Sequence, residues 1–171
     1  MRGSYVFFTD ACHGHYSEQK VEEFAPKLYN YYKEPASYTV YTDFFPFAKS
    51  NHIETKMVAI SNFDNRLHVI LNQLGISPFL SGTITSENAK CSKPDPDIFL
   101  NAVKSLGKGS LDPENILHIG DSPKKDYYAA RQLGWNALLM ERNTESIPPP
   151  SDIPQSDIIS SFKDVSNWLN T

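Results

Sequence analysis

Only two cysteines, Cys12 and Cys91, occur in 171 residues, which excludes a disulfide framework and suits a reducing compartment. No apolar run approaches the ~20 residues a membrane helix needs. The opening "MRGSYVFF" carries one Arg and an apolar run too short for a signal peptide, and no Arg-rich transit pattern follows. Basic runs are missing and the formal charge is −4, so the chain has no electrostatic footprint for nucleic acid. Internal repeats are missing too. The expectation is a soluble intracellular protein of the cytoplasm or nucleus, with neither a nucleic-acid nor a membrane partner. Composition does not set its oligomeric state.

What is present is enough apolar material for one ordinary domain and a small appendage: 40% hydrophobic and 12% aromatic residues. "KMVAISN", "GTITS", "NILHIGD", "NALLM" and "DIIS" read as strands. Between and after them, "RLHVILNQLG", "PDIFLNAVKSLG", "KKDYYAARQLG" and "SFKDVSNWLN" carry helical spacing, three of them stopped by a glycine. "IPPPSDIPQSD" can neither form helix nor donate freely in a sheet, and reads as an extended connector. Alternation of this kind predicts an α/β fold, a doubly wound parallel sheet with helices on both faces. The first fifty residues differ. "SEQKVEEFAPKLYNYYKEP" predicts a helix with Val21, Phe24, Leu28 and Tyr31 or Tyr32 on one face, although Pro26 counts against a single straight one. "YTDFFPFAKSN" predicts a short helix before the first clear strand.

In such sheets ligands bind beyond the carboxyl ends of the strands. Three loops there carry chemistry. Ser61 and Asn62 set a hydroxyl and an amide beside free backbone N–H groups, which suits an anion such as phosphate; equally, Asn62 or Asp64 could cap the next helix. Lys93 precedes Pro94-Asp95-Pro96, whose stiffness aims its charge toward phosphate, or it is an ordinary solvated lysine. Asp121 ends a strand and Asp126 lies five residues on, in the first turn of a helix. The pair could cap that helix or hold Mg²⁺, a hard ion satisfied by one or two carboxylates, water and phosphate oxygens.

Other motifs carry less. Cys12, His13 and His15 offer three zinc ligands in a short stretch but no partner cluster for a fourth. "GKGS", from Gly107 to Ser110, lacks the earlier glycine of a phosphate loop and reads as a linker. His118, inside a strand, reads as a packed or hydrogen-bonded core residue, and Tyr29, Tyr31 and Tyr32 as core or cap packing.

Taken in order, strand–Ser61, then Lys93-Pro94-Asp95, then strand–Gly120-Asp121 followed by Asp126, the sequence resembles the haloacid dehalogenase-like (HAD) hydrolase superfamily. "SNFDNRL", "SKPDPDIF" and "HIGDSPKKDYYAARQLGW" carry the resemblance, which covers residues ~40 to 170 on a doubly wound reading. It implies a partial helical cap over residues 1–40 and a HAD-like core over residues 41–171. It further implies Mg²⁺-dependent hydrolysis of a small phosphorylated molecule, rather than dehalogenation, because the acid pair favours a metal. Ser61 and Asn62 would hold phosphoryl oxygens, Lys93 would neutralise charge, Asp121 would bind Mg²⁺, and Asp126 would bind it or orient its water. In this family phosphate passes to an aspartate and water then releases it.

That aspartate belongs to an Asp-x-Asp-x-Thr segment after the first strand, and this sequence has none. "YVFFTDACHGH" supplies Asp10 but puts Cys12 where the acid/base aspartate belongs. The stretch fits the later helices of the family's cap better. The first core strand, which in the family lies between those ending at Ser61 and Asp121, is then missing, and Mg²⁺ binding is weak or lost. Each buried backbone group left unpaired costs ~1–3 kcal/mol, against a typical net stability of ~5–15 kcal/mol. Residues 4–10 could replace the strand, or the chain could close the gap or associate. The expectation is an inactive truncated hydrolase or, alternatively, a non-catalytic phosphate-binding or interaction protein.

Overall fold

The computed structural model describes residues 18–32, 37–51, 55–107, 111–142 and 148–169. These fall into two units divided between Thr39 and Val40. In the first, α1 (Glu18–Tyr31) runs without a break through Pro26, the residue that counted against a single straight helix. Pro26 removes only its own N–H from the ladder, and the remaining turns carry the helix past it. Ala25 is buried and Leu28 half-buried, whereas Phe24, Tyr29, Tyr31 and Tyr32 are exposed.

The second unit is α/β. Its elements are α2 (Phe44–Asn51), β1 (Val58–Ser61), α3 (Arg66–Gln73), β2 (Gly82–Thr85), α4 (Ser86–Ala89), α5 (Pro96–Ser105), β3 (Leu117–Gly120), α6 (Tyr128–Gln132), β4 (Asn136–Met140), β5 (Ile158–Ile159) and α7 (Phe162–Leu169). All strand pairing is parallel. Strand β1 pairs with β2 in one sheet, and β3–β4–β5 form another; no described strand joins them. Residues 4–10, considered above as a substitute strand, lie outside the described residues, as do Asp10 and the Cys12–His15 cluster. Among the described residues no helix is long and apolar enough to cross a membrane.

Strand alternation sends the β3–β4 side chains to two opposite cores. On one face Leu117, Ile119, Leu138 and Met140 meet Phe47 of α2 and Val165 of α7. On the other, Ala137 and Leu139 meet Ile98 and Phe99 of α5, Ala129 and Ala130 of α6, and Trp135. Ile60 and Ile84 join this second core from β1 and β2, so α5 spans both sheets. Burying a side chain such as Phe99 or Leu138 stabilises by ~1.5–3 kcal/mol relative to exposure, which explains why short strands suffice. Asp95 caps α5 by accepting from Asp97 N at 3.0 Å, with Pro96 in the first helical position. Gly134 ends α6 in left-handed backbone, where a side chain would be strained.

Two ties fix the ends of this unit. The Asp43 carboxylate accepts from Arg142 Nη2 at 2.9 and 3.1 Å and from Phe162 N at 2.8 Å, while the guanidinium lies 4.1 Å from the Tyr41 ring centre. Neighbouring tyrosines hold the Pro-rich connector: Tyr127 donates to Asp157 at 2.6 Å and Tyr128 to Asp152 at 2.8 Å. Burial and the Asp157 carboxylate push the Tyr127 hydroxyl up to about 12.

Candidate functional site

The functional loops leave the carboxyl ends of β1 and β3, where the sheet can no longer pair their backbones. After β1, Asn62 turns away from α3 and clamps the loop that holds Lys93. Its Oδ1 accepts from Lys93 N at 2.7 Å and its Nδ2 donates to Lys93 O at 2.9 Å. Asp64 closes a local turn just before α3: its Oδ1 accepts from Arg66 N at 3.0 Å while its carboxylate binds the Arg66 side chain. The Asn62 side chain is thus committed to Lys93, 31 residues along the chain. Ser61, the last residue of β1, is half-buried beside it and makes no side-chain hydrogen bond among the described residues.

From this clamp the Lys93 side chain, only 14% exposed, reaches Asp126 with Nζ 2.5 Å from Oδ1. Asp126 is 2% exposed, and three donors meet its two oxygens. His118 Nε2 lies 2.9 Å from the same Oδ1, and Ser122 N donates to Oδ2 at 3.1 Å. Burial alone would raise this carboxyl; the His118 hydrogen bond, then the hydrogen bond and charge of Lys93, outweigh it and hold the group at about 2. A carboxylate can only accept, so Nε2 is the protonated nitrogen of the His118 ring.

The backbone that brings Asp126 here is a wide π turn, Pro123–Tyr127, in place of the ordinary first helical turn expected from the sequence. Ser122 O accepts from both Asp126 N at 2.9 Å and Tyr127 N at 3.3 Å, and Ser122 Oγ from Lys125 N at 3.2 Å. Ser122, not either acid, therefore caps the turn. The turn folds the Asp126 side chain directly over Gly120, where no Cβ could fit.

Asp121, next to Gly120, is exposed and makes no hydrogen bond or ion pair among the described residues. Hydrogen bonds thus bring Asn62, Lys93 and Asp126 together, and Ser61 and Asp121 stand next in sequence to the anchored Asn62 and Ser122. A hard divalent ion needs one or two carboxylates, and Asp121 fits as a direct ligand. Asp126 fits as an outer partner, since its oxygens already serve three donors. Among the described residues no three His, Cys, Asp or Glu side chains gather as a protein-only metal centre would require. Sequence reading gave His118 as a packed or hydrogen-bonded core residue, which it is, without naming Asp126 as its partner. The available signal was the two-residue period of β3, which sets position 118 on the face of Gly120.

The family model for haloacid dehalogenase-like hydrolases matches residues 1–134. The chain belongs to the haloacid dehalogenase-like hydrolases. Among its relatives, the haloacid dehalogenase-like hydrolase domain-containing protein 3 of Danio rerio is 32% identical over 146 residues, covering 85% of this chain and 59% of that protein. The rhythmically expressed gene 2 protein of Drosophila melanogaster is 40% identical over 89 residues, 52% of this chain and 34% of that one. The chain therefore spans between about a third and three fifths of the length of these relatives. A HAD phosphatase from Thermococcus onnurineus superposes with a TM-score of 0.70 at 22% identity, over 98% of this chain and 74% of that one. A 2-haloacid dehalogenase from Pseudomonas syringae pv. Tomato DC3000 gives 0.67 at 17%, over 96% and 70%. Phosphatase and dehalogenase share the fold, so the fold alone does not choose the chemistry.

The Asp126 environment sets an acid dependence for the stability of this chain. Its carboxyl lies near 2 folded against 3.8 ordinarily, a difference that contributes on the order of 2–3 kcal/mol. A depressed folded value means that this contribution is complete above about pH 4 and lost as pH falls toward 2. Urea titrations over this range are expected to show a flatter acid limb for Asp126→Asn than for the parent chain. Equal limbs would mean that Asp126 is not paired as described.

Proposed function

We propose that this chain carries the phosphate-holding side of a Mg²⁺-dependent phosphate-ester hydrolase acting on a small phosphorylated molecule. In this reading Ser61 and the backbone after β1 receive phosphoryl oxygens, with Asn62 keeping that loop against the lysine. Lys93 offsets the anion's charge with protons not spent on Asp126; an ammonium has three to donate. Asp121 would hold Mg²⁺, and Asp126 would keep Lys93 in place and order water beside the ion. Mg²⁺ bound there would polarise a phosphoryl oxygen and stabilise charge in the transfer. The observation that carries this reading is Lys93 near the ends of β1 and β3, its backbone clamped by Asn62 and its part-buried ammonium paired with Asp126. A relative in fold described as a HAD phosphatase adds support.

No Asp-x-Asp-x-Thr segment occurs in the 171 residues, and Asp121 and Asp126 both have other work in this scheme. Without an attacking carboxylate the electrostatic half of the site can bind an anion but cannot form the phosphoryl–enzyme bond. This chain by itself is therefore an anion-binding, non-hydrolysing form in our reading, and the second reading is that such binding is its function. The full engagement of Asp126, leaving one open acid, favours that second reading over a two-carboxylate catalytic centre.

The test is p-nitrophenyl phosphate turnover with and without Mg²⁺, alongside inorganic phosphate binding by calorimetry. We expect binding without Mg²⁺-stimulated turnover. Turnover abolished by Lys93→Ala and by Asp121→Ala would contradict the inactive form and make Asp10 the nucleophile to test. Absence of phosphate binding would contradict the site itself.

A further inference from the structure

We propose that His118 is a positioning residue, holding the Asp126 carboxylate and through it the Lys93 ammonium at the rim. Strand β3 carries it for this purpose on the face opposite Leu117 and Ile119, which pack into the α2–α7 core. Its ring stands edge-on to fully buried Phe99, with ring centres 5.1 Å apart, so its direction is fixed by packing. From there Nε2 reaches Asp126 Oδ1 at 2.9 Å, and Lys93 Nζ shares that oxygen at 2.5 Å.

Three donors on two oxygens stop the carboxylate from rotating about Cβ–Cγ. Removing the imidazole leaves Oδ1 with the lysine alone, on a long flexible stem that follows wherever the carboxylate turns. His118 also takes part of the electron density of Asp126, so Lys93 is less completely neutralised and keeps more attraction for an incoming anion. The ordering of Lys93 stands independently of the proposed function; the effect on anion binding rests on it.

The experiment uses the full chain and three forms: parent, His118→Leu and His118→Gln. Leucine keeps an apolar contact with Phe99 but cannot donate. Glutamine places an amide N–H close to where Nε2 lies. The first readout is the pair of Lys93 ε-methylene protons by NMR, which are inequivalent when the side chain is held and averaged when it is free. The second is affinity for inorganic phosphate. We expect inequivalence in the parent, averaging in His118→Leu and recovery in His118→Gln. Phosphate affinity should fall roughly tenfold in the leucine form, the loss of one charge-assisted bond, and return in the glutamine form. A purely space-filling role for His118 predicts the opposite ranking, with leucine the better replacement.

Inequivalence retained in His118→Leu overturns the proposal. Averaging there without phosphate binding by any form upholds the positioning of Lys93 and overturns the phosphate reading instead. Averaging with unchanged phosphate affinity overturns the link to the anion. His118→Phe, which fills the same slot without donating, replaces the leucine form if that one does not fold.

Discussion

Replacing Gly120 by alanine is expected to cost ~3 kcal/mol or more and to dismantle the rim in the same step. A Cβ at this position would stand 2.5 Å from Asp126 Cβ and 2.6 Å from its Oδ2, and closer still to Cγ. Real Cβ atoms do not approach other atoms so closely, so one of the two must move. Gly120 is held by pairing with Leu139 in the β3–β4 register. The carboxylate would therefore be displaced, and with it the bonds to Lys93, His118 and Ser122. Overpacking alone costs ~1–3 kcal/mol, and disrupting a buried charged pair adds to it. Urea unfolding of Gly120→Ala beside the parent measures this directly. A loss below ~1 kcal/mol would mean that Asp126 does not lie over β3.

The second large effect is expected at Lys93. Lys93→Met keeps the volume of the stem and deletes the charge, leaving a 2% exposed carboxylate with only His118 and Ser122 as donors. Breaking a buried pair costs ~3–5 kcal/mol, and the surviving donors set the expectation near the lower end. The double variant Lys93→Met/Asp126→Asn should recover much of that, because a neutral amide strands no charge. A double variant less stable than the single one would show that the loss came from packing and not from an orphaned carboxylate. Together with the acid limb of Asp126→Asn, this cycle isolates the pair energetically.

These effects hinge on contacts that local sequence encodes unevenly. The β-branched "VAIS" and the apolar "NALLM" announce β1 and β4, the first half-buried along its length and the second buried at its centre. The Gly120-Asp121 step and Lys93 announce themselves by lying beyond strand ends. Three features do not. The partner of Asn62 lies 31 residues away, and only the assembled sheets bring it near. The π turn after Ser122 depends on Asp126 finding Lys93 and His118, a tertiary reward that outweighs the better local geometry of an α turn. His118 looks like a core residue because it is one; its second role exists only after Asp126 has been folded back above it. Likewise α1 continues through Pro26 although the local penalty argues for a break.

The convergence of Ser61, Lys93 and Asp121 on one anion is tested most directly by following every backbone amide while inorganic phosphate and Mg²⁺ are added. The account predicts that the amides of Ser61, Asn62, Lys93, Asp121 and Ser122 shift together along a single saturation curve, and that Lys93→Met abolishes the response. Shifts confined to one loop, or following separate curves in the three loops, would contradict it.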